Sequence, residues 1–260
     1  MKRLNCFGAK QLKSKINKQE GDSLKDIGCG CQHCQNKLCT RRVPIFSVLD
    51  DEDINRITSL IIRRSYQKGE LIVVEGEYPE GLIVINQGKV KAYRNTIEGK
   101  EQILYIFSEG DFLGEKDLFK NQQTTYNIEA LEDTNICMVT KIDFHRLLRE
   151  YPDISLKLLE ELSDRLDRME KTIESMGAKN VEARVSAVLL EFAQKYGKQH
   201  PKGIMVKLPL SREGIANYIG LTRETVSRKM NILQDEGIIE MIGNKNIVII
   251  DEEALREAAE

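Results

Sequence analysis

The sequence predicts an α+β protein assembled from an antiparallel β-barrel, one long helix and a C-terminal winged helix-turn-helix. Three observations carry that prediction. Short β-branched runs punctuated by glycine fill residues 65–141, a two-row apolar seam marks a later helix, and Ser211 to Met230 reads as two helices around a glycine turn. The expected divisions are 1–42 for a mobile arm with clustered cysteines, 43–152 for the barrel, 153–177 for the long helix, and 178–260 for the winged helix-turn-helix.

The arm is Lys-rich and aperiodic, which argues against a packed core of its own. It carries Cys6 and then Cys29, Cys31, Cys34 and Cys39, leaving only Cys137 for the rest of the chain. In a reducing compartment a cluster this dense reads as metal or redox chemistry before structural disulfides. Soft thiolates at close spacing suit an iron–sulfur cluster or zinc. A thiol–disulfide switch and no role at all stay open beside them.

After the arm, Val43-Pro44-Ile45-Phe46 leads into a short helix with Asp50 as its N-cap. The runs LIVV, GLIVI, KVKAY, ILYIF and ICMV follow, separated by Gly69, Gly76, Gly81, Gly88, Gly99 and Gly110. Strands of that length with glycine at the turns form an antiparallel barrel or roll. The next helical stretch runs from Asp143 to Met176 and is interrupted near Pro152. Leu159, Leu166 and Ile173 make one row along it, and Leu162, Met169 and Met176 the other. Such a seam suits a core helix packed on its own barrel or a parallel two-helix dimer. Its narrowness favours the dimer, with these six residues as the interface. Gly177 then ends the helix as a hinge.

A further helix begins near Asn180, and a polar link containing Pro201 and Pro209 leads to the most informative segment. Ser211 caps a first helix, Ala216 permits close crossing, Gly220 makes the turn and Thr222 caps a second helix. On that second helix Arg223, Glu224, Ser227 and Arg228 share one face near the N-terminus. A recognition helix meets base edges in a major groove in this geometry, with arginine reading guanine and an acid accepting from cytosine. The two apolar runs around Gly243-Asn244 complete a wing hairpin.

Composition agrees with a soluble DNA-binding chain without demanding one. Apolar residues make up 41% of the 260 and charged residues 31%, and the formal net charge is −2. Position matters more than the total: from Lys195 to Lys229 there are eight Lys/Arg against two acids. An ordinary solvated surface would carry the same excess, so the patch is meaningful only beside the helix-turn-helix. No apolar run approaches the ~20 residues that span a bilayer, and the N-terminus lacks a secretory core. A cytoplasmic location is expected. His33, His145 and His200 are scattered and no nucleophile is paired with a base, so no catalytic site is expected.

RETVSR at 223–228, the wing, KGELIVVEGE, QGKVKAY, EGDFLGE at 109–115 and the long helix together resemble the CRP/FNR family of bacterial regulators. The resemblance covers nearly the whole chain from Val43. It implies a cyclic-nucleotide-binding type of barrel (a double-stranded β-roll) with a sensory role, a homodimer joined along the long helix, and an inverted-repeat DNA operator. Arg223, Glu224, Ser227 and Arg228 would be its base readers, and RNA polymerase a further partner.

The resemblance weakens at the nucleotide site. Members that bind cyclic AMP carry an acid, matched by Glu115, and an Arg-Ser pair about ten residues on that grips the phosphate. Here those two positions hold Thr125 and Tyr126, after Gln122 and Gln123, with no cation near in the sequence. A buried phosphate without a counter-charge is costly, so cyclic AMP is not expected and Glu115 is read as structural. The arm instead resembles the FNR-type branch, which implies an oxygen-labile iron–sulfur cluster, of 4Fe–4S type, on Cys29, Cys31, Cys34 and Cys39. Cys137 or His33 could replace one of the four as ligand. The cysteine spacing is tighter than in that branch, and Cys137 stands about three residues early for a barrel ligand. An odd offset on a strand turns a side chain to the opposite face, which makes Cys137 a candidate core thiol. A small organic effector acting on the same scaffold is the alternative input.

Overall fold

The computed structural model describes residues 43–120, 122–177 and 181–259. The clustered cysteines Cys29, Cys31, Cys34 and Cys39, with His33, lie outside the described residues. The description opens with a short 3-10 helix, Pro44–Phe46, that buries Ile45 and Phe46. Helix α1 (Asp51–Leu60) follows. The Asp50 carboxylate accepts from the Asp53 N–H at 2.9 Å, and Asp51, Glu52 and Asp53 crowd the first turn, where the helix dipole favours negative charge.

Eight strands then build two packed antiparallel sheets. They are β1 (Ile62–Tyr66), β2 (Leu71–Val73), β3 (Gly81–Gln87), β4 (Lys89–Asn95), β5 (Glu101–Ser108), β6 (Phe112–Leu113), β7 (Asn127–Ala130) and β8 (Thr134–Thr140), with helix α2 (Glu115–Phe119) between β6 and β7. One sheet has the order β1-β8-β3-β6 and the other β2-β7-β4-β5. The tight β3–β4 connection uses Gly88 at φ +94°, where an added Cβ would sit 2.5 Å from Thr134 Oγ1 and 2.7 Å from the Asp133 carbonyl. Only glycine satisfies both the backbone angle and the space.

Side-chain alternation distributes the chain over three cores. Ile136 and Met138 of β8 point between the sheets, joining Ile83, Ile85, Val90, Phe107, Leu113, Tyr126 and Ile128. Cys137 and Val139 point the other way, into a second core with Val43, Ile45, Phe46, Phe144, Leu147, Ile154 and Leu158. Helices α3 (Lys141–Glu150) and α4 (Pro152–Gly177) cover that outer face. Pro152 opens α4, where its missing N–H breaks no helical bond. The third core lies on the outer face of the other sheet, where Ile103 of β5 meets the C-terminal module.

That module comprises α5 (Val181–Tyr196), β9 (Gly197–His200), β10 (Gly203–Lys207), α6 (Arg212–Ile219), α7 (Arg223–Asp235), β11 (Ile239–Ile242), β12 (Asn246–Ile249) and α8 (Glu252–Glu257). Its sheet has the order β11-β12-β10-β9. The expected polar link is thus corrected to a hairpin: Lys198 faces Met205 and His200 faces Gly203 across β9 and β10. An edge strand reading Gly-Lys-Gln-His carries no apolar signal, and its backbone pairing is what holds it in the sheet. No described helix is long and apolar enough to cross a membrane.

Candidate nucleic-acid interface and control elements

The turn between α6 and α7 is built from local capping. Ser211 Oγ accepts from the Gly214 N–H at 3.1 Å, and Thr222 Oγ1 accepts from the Thr225 N–H at 3.3 Å. Gly220 takes the left-handed conformation at φ 67° and ends α6. Ile215, Ala216, Ile219, Val226 and Met230 are buried between the two helices and their surroundings. This packing fixes the roll of α7 and leaves Arg223, Glu224 and Arg228 exposed, with Ser227 half-buried beside them. Exposed side chains at the start of a helix whose opposite side is buried suit a groove reader.

The basic excess seen in the sequence divides into structural and surface parts. Lys195 is paired with Asp111 at 2.7 Å, Lys202 with Glu240 at 2.7 Å, and Lys229 is buried within α7. Arg212 is half-buried and directs Nη2 toward Met241 Sδ at 3.1 Å. Lys207 remains exposed and pairs in register with Asn246, the residue that follows exposed Lys245 of the wing. Sequence reading left Lys245 out because it lies beyond the basic stretch from Lys195 to Lys229.

On α4 the apolar residues split between two sides. Ile154 and Leu158 are buried against the barrel and Leu162 is half-buried with them, whereas Leu159 is 62% and Leu166 58% exposed. Leu156 is also exposed and lines a shallow groove with Leu159, Glu160, Ser163 and Asp164. The heptad reading omitted Leu156 because it stands one place off the register. Met169 is partly engaged, since its Sδ accepts from the Tyr105 hydroxyl at 3.2 Å. The side chains of Ile173 and Met176 lie outside the description.

Inside the barrel, the Tyr126 side chain is packed into the central core. The expectation that no cation is near Thr125 is corrected by the structure, because Arg94 Nε donates to the Thr125 carbonyl. Arg94 approaches from the neighbouring strand, which linear inspection does not show. Glu115 is buried at the start of α2 and is paired with Arg165 of α4. Arg165 also donates to the Phe112 carbonyl at 3.1 Å and lies over the Phe107 and Phe112 rings. Among the described residues no three or more His, Cys, Asp or Glu side chains converge as a metal site. Cys137 is buried in the same core as Val43, the first described residue after the cysteine segment.

A β-roll joined by a long helix to a winged helix-turn-helix with an exposed reading face defines a DNA-binding transcription regulator. Comparison with known proteins makes the class specific. Residues 63–151 match the Cyclic nucleotide-binding domain and residues 183–258 the Crp-like helix-turn-helix domain. The "Probable transcriptional regulator flp" of Lacticaseibacillus casei is 32% identical over 221 residues, covering 85% of this chain and 98% of that protein. The "Transcriptional activator protein FnrL" of Cereibacter sphaeroides is 26% identical over 236 residues, covering 89% and 91%. The structure of FixK2 from Bradyrhizobium japonicum superposes with a TM-score of 0.69 at 28% identity, covering 76% of this chain and 96% of that one. The chain belongs to the CRP/FNR family of transcription regulators.

Proposed function

We propose that the protein is a homodimeric regulator that binds an inverted-repeat operator, under the control of an iron–sulfur cluster held by Cys29, Cys31, Cys34 and Cys39. The observation that carries the dimer is the apolar side of α4, where Leu156, Leu159 and Leu166 stand exposed among the described residues. Pairing two such helices removes that surface from water, and each fully buried leucine is worth about 1.5–3 kcal/mol. Arg223, Glu224, Ser227 and Arg228 then read the bases of each half-site, with Ser211 and Thr222 capping the two helices at the DNA backbone. Selection of tight-binding duplexes from a random pool should return an inverted repeat with half-site centres about one helical turn apart. Recovery of a single, non-repeated motif by a monomeric protein would refute this reading.

The donor set supports the cluster. Four thiolates within eleven positions are soft ligands suited to iron and sulfide, and the resemblance to the FNR-type branch supports an oxygen-labile centre there. When bound, the cluster supplies the redox and oxygen sensitivity. The chain has a route to use it: Val43, Ile45 and Phe46 follow directly and are fully buried with Ile154 and Leu158 at the start of α4. A cluster bound by the residues before Val43 would therefore act on the segment that braces the dimer helix. Anaerobically purified protein should be brown, contain iron and sulfide, and lose colour and operator affinity together in air. A thiol–disulfide switch would leave it colourless. Colourless, iron-free protein whose Cys34→Ser, Cys39→Ser variant binds the operator unchanged would remove these cysteines from the mechanism.

A further inference from the structure

The C-terminal module does not depend on α5 alone for its placement. Ile103 of β5 is 2% exposed and belongs to the same apolar cluster as Ile215, Ala216 and Ile219 of α6. Tyr93 and Ile106 are half-buried against that cluster from the same sheet. Around this apolar peg lie directional bonds. Gln102 Nε2 donates to the Asn217 carbonyl at 2.7 Å, and Asn217 Nδ2 to Glu101 Oε1 at 3.5 Å. Lys195 Nζ reaches Asp111 at 2.7 Å and the Ile106 carbonyl at 3.3 Å.

Glu101 is itself positioned from the neighbouring strand β4, by Lys91 at 2.5 Å, and Lys91 also meets Glu129 at 3.4 Å. Burial works against the Lys91 ammonium, but the Glu101 and Glu129 carboxylates outweigh it and raise its pKa above the ordinary lysine value. One deep apolar contact ringed by polar bonds adds modest stability and strong orientation, as in the small, polar interfaces between domains. The contact leaves Arg223, Glu224 and Arg228 exposed. Docking on β5 is therefore compatible with DNA reading.

We propose that Glu101, Gln102 and Ile103 are spacing-determining residues: by holding α6 against β5 they fix the position of α7 relative to α4, and so the half-site separation that the dimer accepts. The inference rests on the dimeric, inverted-repeat reading above. A module joined to α4 by chain connectivity alone would sample many orientations, and the second half-site contact would lose effective concentration. Each inserted base pair shifts one half-site by about 3.4 Å and turns it by roughly a tenth of a revolution. A clamped pair of recognition helices cannot follow that change, whereas a loosely held pair can.

The test uses the full chain and its Gln102→Ala and Ile103→Ala variants, of which Gln102→Ala leaves every apolar core intact. The probes are the operator selected by the unaltered protein, the same duplex with one or two base pairs inserted at its centre, and a single half-site. For the unaltered protein each insertion should cost about tenfold or more in affinity, and for the variants less than about threefold. Single half-site binding should stay within about twofold throughout, because one recognition helix does not sense the clamp. Variants with the same spacing profile as the unaltered protein would overturn the proposal and leave the dimer reading standing. Loss of single half-site binding in Gln102→Ala would make the contact a folding requirement and overturn it too. If the unaltered protein bound the single half-site as tightly as the repeat, the dimer reading would fail first, and the proposal with it.

Discussion

The guanidinium of Arg165, in the middle of α4, is paired with the carboxylate of Glu115, which is buried at the start of α2. Glu115 Oε2 has no hydrogen-bond partner among the described residues, so Arg165 is what compensates this buried charge. The same guanidinium lies 5.4 Å from the Phe107 ring centroid and 5.3 Å from that of Phe112. One side chain thus ties the long helix to the interior of the barrel.

Removing one partner should be worse than removing both. Arg165→Ala leaves a buried carboxylate unpaired and is expected to cost about 3–5 kcal/mol in chemical denaturation. The double variant Glu115→Gln, Arg165→Met restores neutrality and packing and should recover most of that loss. A double-mutant cycle with no coupling between the positions would show that the pair does not support the fold.

Leu159→Lys combined with Leu166→Lys should yield monomers with an intact barrel. Both side chains are exposed in the single chain, so the substitutions remove about 1.5–3 kcal/mol each of intersubunit burial while sparing Ile154 and Leu158. Sedimentation at micromolar concentration reads the outcome directly. A variant that stays dimeric would move the seam to another surface.

Arg223→Ala should cost about 1–3 kcal/mol per half-site and relax the preference at one base pair. Lys245→Ala, on the wing, should instead weaken all sequences alike and reduce the salt slope by about one. Affinities across a set of single-base operator variants at two salt concentrations separate these behaviours. Uniform weakening by Arg223→Ala would reassign it to phosphate contact.

Millimolar cyclic AMP should change neither operator affinity nor thermal stability. A nucleotide at a hundred times its Kd would add about 2.7 kcal/mol to stability, which a melting curve detects. Tyr126 is packed in the barrel core, and Glu115, the acid that the family resemblance would offer to the ligand, is already engaged by Arg165. A raised Tm with the nucleotide would overturn this expectation, and its loss in Arg94→Ala, at a residue bonded to the Thr125 carbonyl, would identify the counter-charge.

Local chemistry made much of this protein legible in its sequence. Glycine turns, β-branched runs and the caps Asp50, Ser211 and Thr222 act within a few residues, so their signals sit close together along the chain. The helix-turn-helix is of this kind, and the shared face of Arg223, Glu224, Ser227 and Arg228 follows from helical spacing. The β9–β10 hairpin was illegible because an edge strand is held by backbone bonds, which any side chain permits. Other features arise only when distant segments meet. Folding decides that Arg94 reaches Thr125, that Arg165 compensates Glu115, that Leu162 packs on the barrel while Leu159 stays exposed, and that Ile103 of the barrel enters the core of the DNA-binding module. These pairings depend on strand order and on which face each residue presents, and burial then turns a chance of proximity into a requirement for a partner.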